Sequence, residues 1–482
     1  MRPMISCFFR FYGLNLLGLV LMFAGWGCQP LGSEDFAQRL GDKGLGMPER
    51  LAADVQWRQR PDFNREQRKQ ILQHIIREYG QSEDMQIWAL QELCALDPIA
   101  AKKAVAQALA VMAIGPVLQQ ACDMVVAQQW RDLTPTMVLS LRRDDSGMLL
   151  SARPEYLALG KLWACPAAEV LQTSVLTGAQ ARVRIAALDI LSQQQTLAEI
   201  KAWLMTDQPG DAFLVRLRWS VSELGCVPYG SGEYQWLAQW HTHAYAWIHQ
   251  QAPLVVGRLT AQQREGLRLA QVPALVTMAL AGPLPTLEAL RGELTPILQA
   301  RTHVTRTPAY PGSRDDVPDR IEVVGQHLCY GDWVVLKLIN DALTQPWVQT
   351  ELARQIAQDY ADTTSEHGAV LGCDDRGNIK LVGFPPFASG SDINFLPSDA
   401  MFRALAGGIA LFHYHAAIAD NQLHAGPGEG DLDAVDRQRF NGVVVTPLGT
   451  DKLDIDLYLP HRRVISLGQW PIKWSAQRIG SE

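Results

Sequence analysis

The chain has 482 residues, of which 48% are hydrophobic and 19% charged, so it is long enough for several domains and apolar enough for packed cores. This composition excludes wholesale disorder. Its 43 basic and 50 acidic residues give a formal net charge of -7, which lacks the basic excess that phosphate neutralisation requires and argues against nucleic acid as a partner.

The first 27 residues have the pattern of a signal peptide. Arg2 and Arg10 precede an uncharged apolar stretch that ends at Gly27, directly before Cys28. This segment resembles a bacterial lipoprotein signal, and the resemblance implies cleavage and lipidation at Cys28. An uncleaved anchor helix is the alternative. In both cases we expect an extracytoplasmic, membrane-anchored protein, with a tether over residues 28–63.

Residues 64–304 carry helical periodicity, broken into short segments by proline and glycine. Four of these segments centre on a small residue with an aliphatic residue four positions later, and they follow one another at about the length of a helical hairpin. Stacked hairpins would bury these pairs in one continuous core, which predicts an all-α solenoid. The pattern resembles HEAT repeats, and the resemblance implies a surface that binds a protein partner or substrate. The four pairs are Ala89 with Leu93, Ala121 with Val125, Ala158 with Leu162 and Ala187 with Leu191.

A change of pattern after a linker over residues 305–318 predicts a mixed α/β domain over residues 319–470, followed by a tail over residues 471–482. Helices are expected over Gln345–Asp362, which has an apolar stripe, and over residues 432–440. The strands are expected at residues 320–324, 333–339, 368–371, 379–382, 409–415, 443–446, 454–459 and 464–467.

One of these strands ends in two histidines, His413 and His415. Residues two apart on a strand point to the same side, so both imidazoles can face one metal ion. Asp431 lies at the start of the following helix, where a carboxylate is favoured. Two imidazoles and one carboxylate leave the fourth position of Zn²⁺ open, which is typical of a catalytic zinc site.

The order of motifs over about a third of the chain resembles that of JAMM/MPN-type zinc metallopeptidases. The motif E-x-G-x-x-L-G begins at Glu366, the HxH strand follows, Pro427-x-x-x-Asp431 opens a helix, and the strands VVVTPLG, DLYLP and VISLGQW complete the set. The resemblance implies a JAMM-like (cytidine-deaminase-like) fold. It further implies zinc binding by His413, His415 and Asp431, with Glu366 as the general base that passes a proton to the leaving amine. The implied reaction is hydrolysis of a peptide or isopeptide bond.

Two functions remain open at this point. Gly428 stands where the family has a serine that steadies the carbonyl oxygen, and the loss of one such donor costs about 10² to 10³ in rate. If Asp433 were the metal ligand instead, Gly430 would occupy the serine position. The first hypothesis is a membrane-tethered zinc peptidase or isopeptidase with a repeat region that binds proteins. The alternative is a non-catalytic HEAT-repeat scaffold lipoprotein with a degenerate JAMM-like domain.

Overall fold

The computed structural model of the chain describes residues 33–78, 80–143, 148–206, 210–306, 317–385 and 395–476. The chain divides into two compact units, of which the first ends at Cys165 and the second begins at Pro166. The described residues are mostly helical and form one six-stranded mixed sheet towards the carboxyl end, as predicted at this coarse level. None of their helices combines the length and the apolar character needed to cross a bilayer. The predicted signal peptide and Cys28 lie outside the described residues.

Helices make up the first unit, and their apolar side chains face one another. The range 33–63, for which we predict a tether, contains two helices with buried Leu40 and Trp57 side chains. Side-chain caps begin several of the helices. The Ser82 hydroxyl accepts a hydrogen bond from the Met85 N–H at 3.3 Å. The helices are α1 (Ser33–Gly41), α2 (Met47–Arg58), α3 (Arg65–Arg77), α4 (Glu83–Leu96), α5 (Pro98–Leu109), α6 (Pro116–Ala127), α7 (Thr134–Leu141) and α8 (Pro154–Trp163).

The second unit begins with a further series of helices and continues into the α/β region. A single apolar core runs from Leu224 to Trp474 and includes side chains of both parts. The helices are α9 (Ala167–Thr177), α10 (Ala181–Gln194), α11 (Leu197–Leu204), α12 (Ala212–Trp219), α13 (Gly230–Trp240), α14 (Ala246–Gly257), α15 (Ala261–Arg264), α16 (Val272–Ala281), α17 (Leu287–Gln299), α18 (Ile321–Val324), α19 (Tyr330–Leu343), α20 (Pro346–Ala361), α21 (Asp399–Ala404) and α22 (Glu429–Gln438).

The four predicted pairs of small and aliphatic residues each lie within one helix, and all eight side chains are buried. Burial of this kind is what close packing of neighbouring helices requires. The pairs that begin at Ala89, Ala121 and Ala158 belong to the first unit, and the pair at Ala187 belongs to the second. The assignment to HEAT-like repeats and the predicted domain ranges stay predictions.

Six of the predicted strands form the sheet. The strand order across the sheet is β2-β1-β3-β4-β5-β6, and all neighbours are antiparallel except β3 and β4, which are parallel. Parallel neighbours need a crossover connection, and α22 lies in the segment that connects β3 to β4. The strands are β1 (Gly368–Cys373), β2 (Ile379–Phe384), β3 (Gly408–Tyr414), β4 (Gly442–Pro447), β5 (Leu453–Leu459) and β6 (Arg463–Trp470).

Two predicted strands are wrong. Residues 320–324 contain the single helical turn α18, and residues 333–339 lie inside α19. Nearly every side chain of α19 is buried, so its sequence is apolar on all faces. Periodicity does not distinguish such a helix from a buried strand. The Cys329 N–H donates to the Asp332 carboxylate at 3.2 Å, and this cap at the start of α19 marks it as a helix.

One buried acid makes the stability of this fold depend on pH. Glu233 in α13 accepts a hydrogen bond from the Tyr229 N–H at 2.7 Å, and burial raises its pKa from 4.5 to about 7. Because the folded protein then binds a proton more tightly than the unfolded chain, the free energy of unfolding falls as the pH rises from about 4.5 to about 7.

We therefore expect Glu233→Gln to remove a pH-dependent loss of stability of up to about 3 kcal/mol between pH 5 and pH 8. Urea unfolding at the two pH values measures the difference. The exposed Glu288→Gln variant serves as the control and should keep the wild-type difference. An unchanged pH dependence in Glu233→Gln would contradict the assigned origin.

Candidate metal centre

The two histidines lie at the carboxyl end of β3, next to the parallel neighbour β4. His413 is the sixth residue of β3 and is fully buried, and His415 follows the last strand residue. Alternation along the strand turns both imidazoles to the same face of the sheet, whereas Tyr414 points to the opposite face. The Nε2 atoms of His413 and His415 are 3.2 Å apart. The two rings thus present their Nε2 nitrogens to one point.

Asp431 reaches the same point from the first turn of α22. The Gly428 N–H donates to Asp431 Oδ2 at 2.7 Å, which closes the turn at the start of this helix. The same oxygen lies 3.4 Å from His413 Nε2 and 3.8 Å from His415 Nε2. Asp433, the other ligand considered from the sequence, is exposed. The structure therefore brings Asp431, and not Asp433, to the two histidines.

Glu366 approaches from the connection between α20 and β1 and is buried. Its carboxylate and one ring nitrogen of each histidine lie within 4.8 Å of one another, so Glu366, His413 and His415 form a group that could hold a metal ion. A buried carboxylate on α20 holds this connection against the end of β3. Asp359 accepts hydrogen bonds from the His367 N–H and, at 3.2 Å, from the Ala416 N–H.

The spacing of the donor atoms suits a single metal ion. Zinc binds imidazole nitrogen and carboxylate oxygen at about 2.0 to 2.2 Å, so neighbouring donors of a tetrahedral site are separated by roughly 3.3 to 3.5 Å. The three separations among His413 Nε2, His415 Nε2 and Asp431 Oδ2 are 3.2, 3.4 and 3.8 Å. These three atoms are therefore close enough to one another to contact a single ion.

The charges at this point are strongly coupled. Burial is the largest single influence on the pKa of His413 and lowers it, but the Asp431 and Glu366 carboxylates together outweigh burial, and the pKa is raised overall. For Asp431, burial raises the pKa, whereas His413 and His415 lower it and leave it well below its usual range. Asp431 is therefore an anion at neutral pH. A half-buried anion of this kind is stabilised by a positive partner, which is either an imidazolium or a metal ion.

Contacts on the far side of each ring hold the two imidazoles in place. His415 Nδ1 lies 3.0 Å from the backbone carbonyl of His424, and the Asn421 side-chain amide donates to the His415 carbonyl at 2.8 Å. His413 Nδ1 lies 3.3 Å from the Tyr458 hydroxyl. The Phe395 ring stacks on the His413 ring, with the centroids 4.9 Å apart. Such outer contacts are typical of metal-binding histidines.

Sequence reasoning did not find three of these supporting groups. Asp359 acts through backbone N–H groups that are distant along the chain, and nothing in the sequence marks it. The carbonyl of His424 belongs to an irregular loop, so its direction depends on the fold. The sheet face of Tyr458 could be predicted, because two-residue alternation along β5 places it on the same face as Asp454 and Asp456.

The structure has room for a side chain at Gly428, the position where the resemblance predicts a serine. A Cβ atom at Gly428 would meet only Asp431 Oδ2, at 3.4 Å, which is ordinary van der Waals contact. Gly428 has φ of -76° and ψ of 172°, a conformation that any residue adopts. Glycine is therefore not required here by space or by backbone geometry, and a serine would fit.

Comparisons of the chain with protein families, with curated proteins and with solved structures found no match. The resemblance to JAMM/MPN-type enzymes therefore stays a prediction from the motif order.

If Asp431 is a metal ligand, Asp431→Ala should weaken zinc binding by more than about 100-fold, because the loss of a ligand exceeds the 10- to 100-fold effect of an outer contact. Competition with a chromophoric chelator measures this affinity. Asp433→Ala changes an exposed carboxylate two residues further along α22 and should bind zinc as the wild type does. Equal affinities in the two variants would rule out the assignment of Asp431.

Proposed function

We propose that this protein is a zinc-dependent peptidase or isopeptidase of the JAMM type, tethered to a membrane on its extracytoplasmic side. The observation that carries the proposal is the set of three donor atoms 3.2 to 3.8 Å apart, with a buried glutamate beside them. A structural zinc site is closed by four protein ligands, whereas a catalytic site keeps one position open. Two imidazoles and one carboxylate match the catalytic type.

In this proposal Asp431 is the third ligand and Glu366 is the base. The Asp431 oxygen lies within 4 Å of both Nε2 atoms and is held by the Gly428 N–H, so its position is fixed before any metal arrives. The buried Glu366 carboxylate lies within 4.8 Å of a ring nitrogen of both histidines. A general base has to lie near the attacking water, and a buried carboxylate next to the two histidines suits that role.

Zinc, when bound, supplies Lewis-acid activation of water and of the substrate carbonyl. Glu366 accepts a proton from the attacking water as its oxygen bonds to the carbonyl carbon. The carbon–nitrogen bond then breaks, and Glu366 returns the proton to the leaving amine. One water molecule is consumed, and a carboxylic acid and an amine are formed. Asp431, ionised at neutral pH, stays a ligand throughout and takes no part in proton transfer.

The helical region would bind the protein partner or substrate. The burial of the small and aliphatic pairs is consistent with helical repeats of the kind that bind other proteins. The N-terminal segment would attach the chain to the membrane through a lipid on Cys28 or through an uncleaved anchor helix.

A second candidate function is supported by Gly428. A JAMM-type enzyme has a serine hydroxyl at this position to steady the carbonyl oxygen, and glycine has no side-chain donor. The protein would then be a scaffold that keeps the fold and the metal but turns over poorly. The two functions differ in one measurable property, which is hydrolysis by the zinc-loaded chain.

Glu366→Gln should keep the zinc affinity of the wild type and lower the rate of hydrolysis by about 10² to 10⁴, the usual contribution of a general base. Cleavage of a library of peptides and isopeptide-linked peptides, read by mass spectrometry, measures the rate. The exposed Glu429→Gln variant in the first turn of α22 is the matched control and should retain activity. Wild-type rates in Glu366→Gln would reject the assigned base, and no cleavage by any variant would favour the scaffold.

Gly428→Ser should raise the rate of hydrolysis by about 10² to 10³, because it restores a donor at a position with room for one. Gly428→Ala adds the Cβ atom without the hydroxyl and should leave the rate near that of the wild type. A rate that does not differ between the serine and alanine variants would show that the hydroxyl is not the missing element.

A further inference from the structure

We propose that Tyr458 is a positioning residue that makes His413 a zinc ligand, by accepting a hydrogen bond from Nδ1 while Nε2 faces the metal. The inference rests on the zinc site of the proposed function. Its evidence is separate, because it concerns the side of the His413 ring that faces away from the donor triangle.

Tyr458 reaches His413 across an intervening strand. It lies on β5, whereas His413 lies on β3, and β4 runs between them. The residue of β4 opposite Tyr458 is Gly442. A Cβ atom at Gly442 would lie 2.1 to 2.5 Å from the phenol ring atoms and hydroxyl oxygen, so the ring lies directly over this glycine. The absence of a side chain at position 442 is what lets the hydroxyl come within 3.3 Å of His413 Nδ1.

The partner of His415 determines which of its nitrogens carries a proton. Its Nδ1 faces the backbone carbonyl of His424 at 3.0 Å, and a carbonyl only accepts hydrogen bonds. His415 therefore carries its proton on Nδ1 and presents a lone pair at Nε2. This is already the form that a metal requires.

His413 has a different outer partner and therefore two possible forms. Without metal, its Nε2 faces two acceptors, the lone pair of His415 at 3.2 Å and Asp431 Oδ2 at 3.4 Å, so Nε2 carries a proton. Metal binding requires that this proton leave, so that Nδ1 holds the proton of the ring. A hydroxyl suits both forms, because it donates to a bare nitrogen and accepts from a protonated one.

Within the part of the chain that the structure describes, the Tyr458 hydroxyl is the hydrogen-bonding group that faces His413 Nδ1. Phe395 covers one face of the ring by stacking, and the Tyr458 ring meets it edge to face at a centroid distance of 5.9 Å. Both His413 and Tyr458 are buried, so solvent does not replace the hydroxyl. Without that hydroxyl, the zinc-bound form would bury an unsatisfied N–H group, which is costly.

The test is the zinc affinity of the full chain and of its Tyr458→Phe variant, measured by chelator competition with zinc alone. We expect the variant to bind zinc 10- to 100-fold more weakly, the usual effect of removing an outer partner of a metal-binding histidine. Tyr414→Phe is the matched control. It removes a buried hydroxyl from the residue next to His413, but this hydroxyl donates to Gln355 on the opposite face of the sheet. It should leave the zinc affinity unchanged.

A second measurement needs no variant. Nitrogen NMR of histidine-labelled protein should show the His413 proton on Nε2 without zinc, and on Nδ1 alone when zinc is bound. Equal zinc affinity in wild type and Tyr458→Phe, or a bound His413 without a proton on Nδ1, would overturn the role of Tyr458 and leave the zinc site intact. Failure of the wild-type chain to bind zinc would overturn both.

Discussion

The approach of two imidazole nitrogens to one carboxylate oxygen is the interaction on which the rest of the site depends. His413 and His415 bring their Nε2 atoms to 3.2 Å from each other, and Asp431 lies within 4 Å of both. Two bare lone pairs at this distance repel each other, and the half-buried Asp431 anion is destabilised without a positive partner. A proton on one of the imidazoles removes only part of this unfavourable energy. A divalent cation relieves all of it, because it bonds to all three atoms at once.

The fold produces this convergence by placing three segments of the chain, a strand, a helix start and a connection, at one end of the sheet. Strand alternation on β3 supplies the two histidines, and the start of α22 supplies Asp431, because the parallel pair of β3 and β4 requires a crossover connection. The connection before β1 supplies Glu366. Asp359 joins this connection to the end of β3 through two backbone N–H groups. The site is therefore held by main-chain geometry as well as by side chains.

Local patterns were sufficient to predict much of this arrangement. The six strands of the sheet, α20 and α22 follow from period-two and period-3.6 patterns, and alternation alone places His413 and His415 on one face. The same reasoning is wrong for residues 320–324 and 333–339. In α19 the burial is so complete that no polar face remains to show a helical period. Burial of this extent is a property of the tertiary structure.

The supporting groups of the site were harder to predict, for a related reason. Tyr458 contacts His413 only because Gly442 leaves space on the strand between them, and the register of β4 and β5 has to be known before that is visible. The His424 carbonyl depends on the path of a loop. Even the choice between Asp431 and Asp433 required the start of α22 to be placed within two residues, a precision that helix boundaries predicted from sequence do not have.

Anomalous diffraction at the zinc edge, from crystals of the zinc-loaded full chain, tests the central claim most directly. The account predicts one peak about 2.0 to 2.2 Å from His413 Nε2, His415 Nε2 and an Asp431 oxygen, with Glu366 near it but not bound to it. A peak that has Glu366 in place of Asp431 as its third ligand, or the lack of any peak between the two histidines, would contradict it.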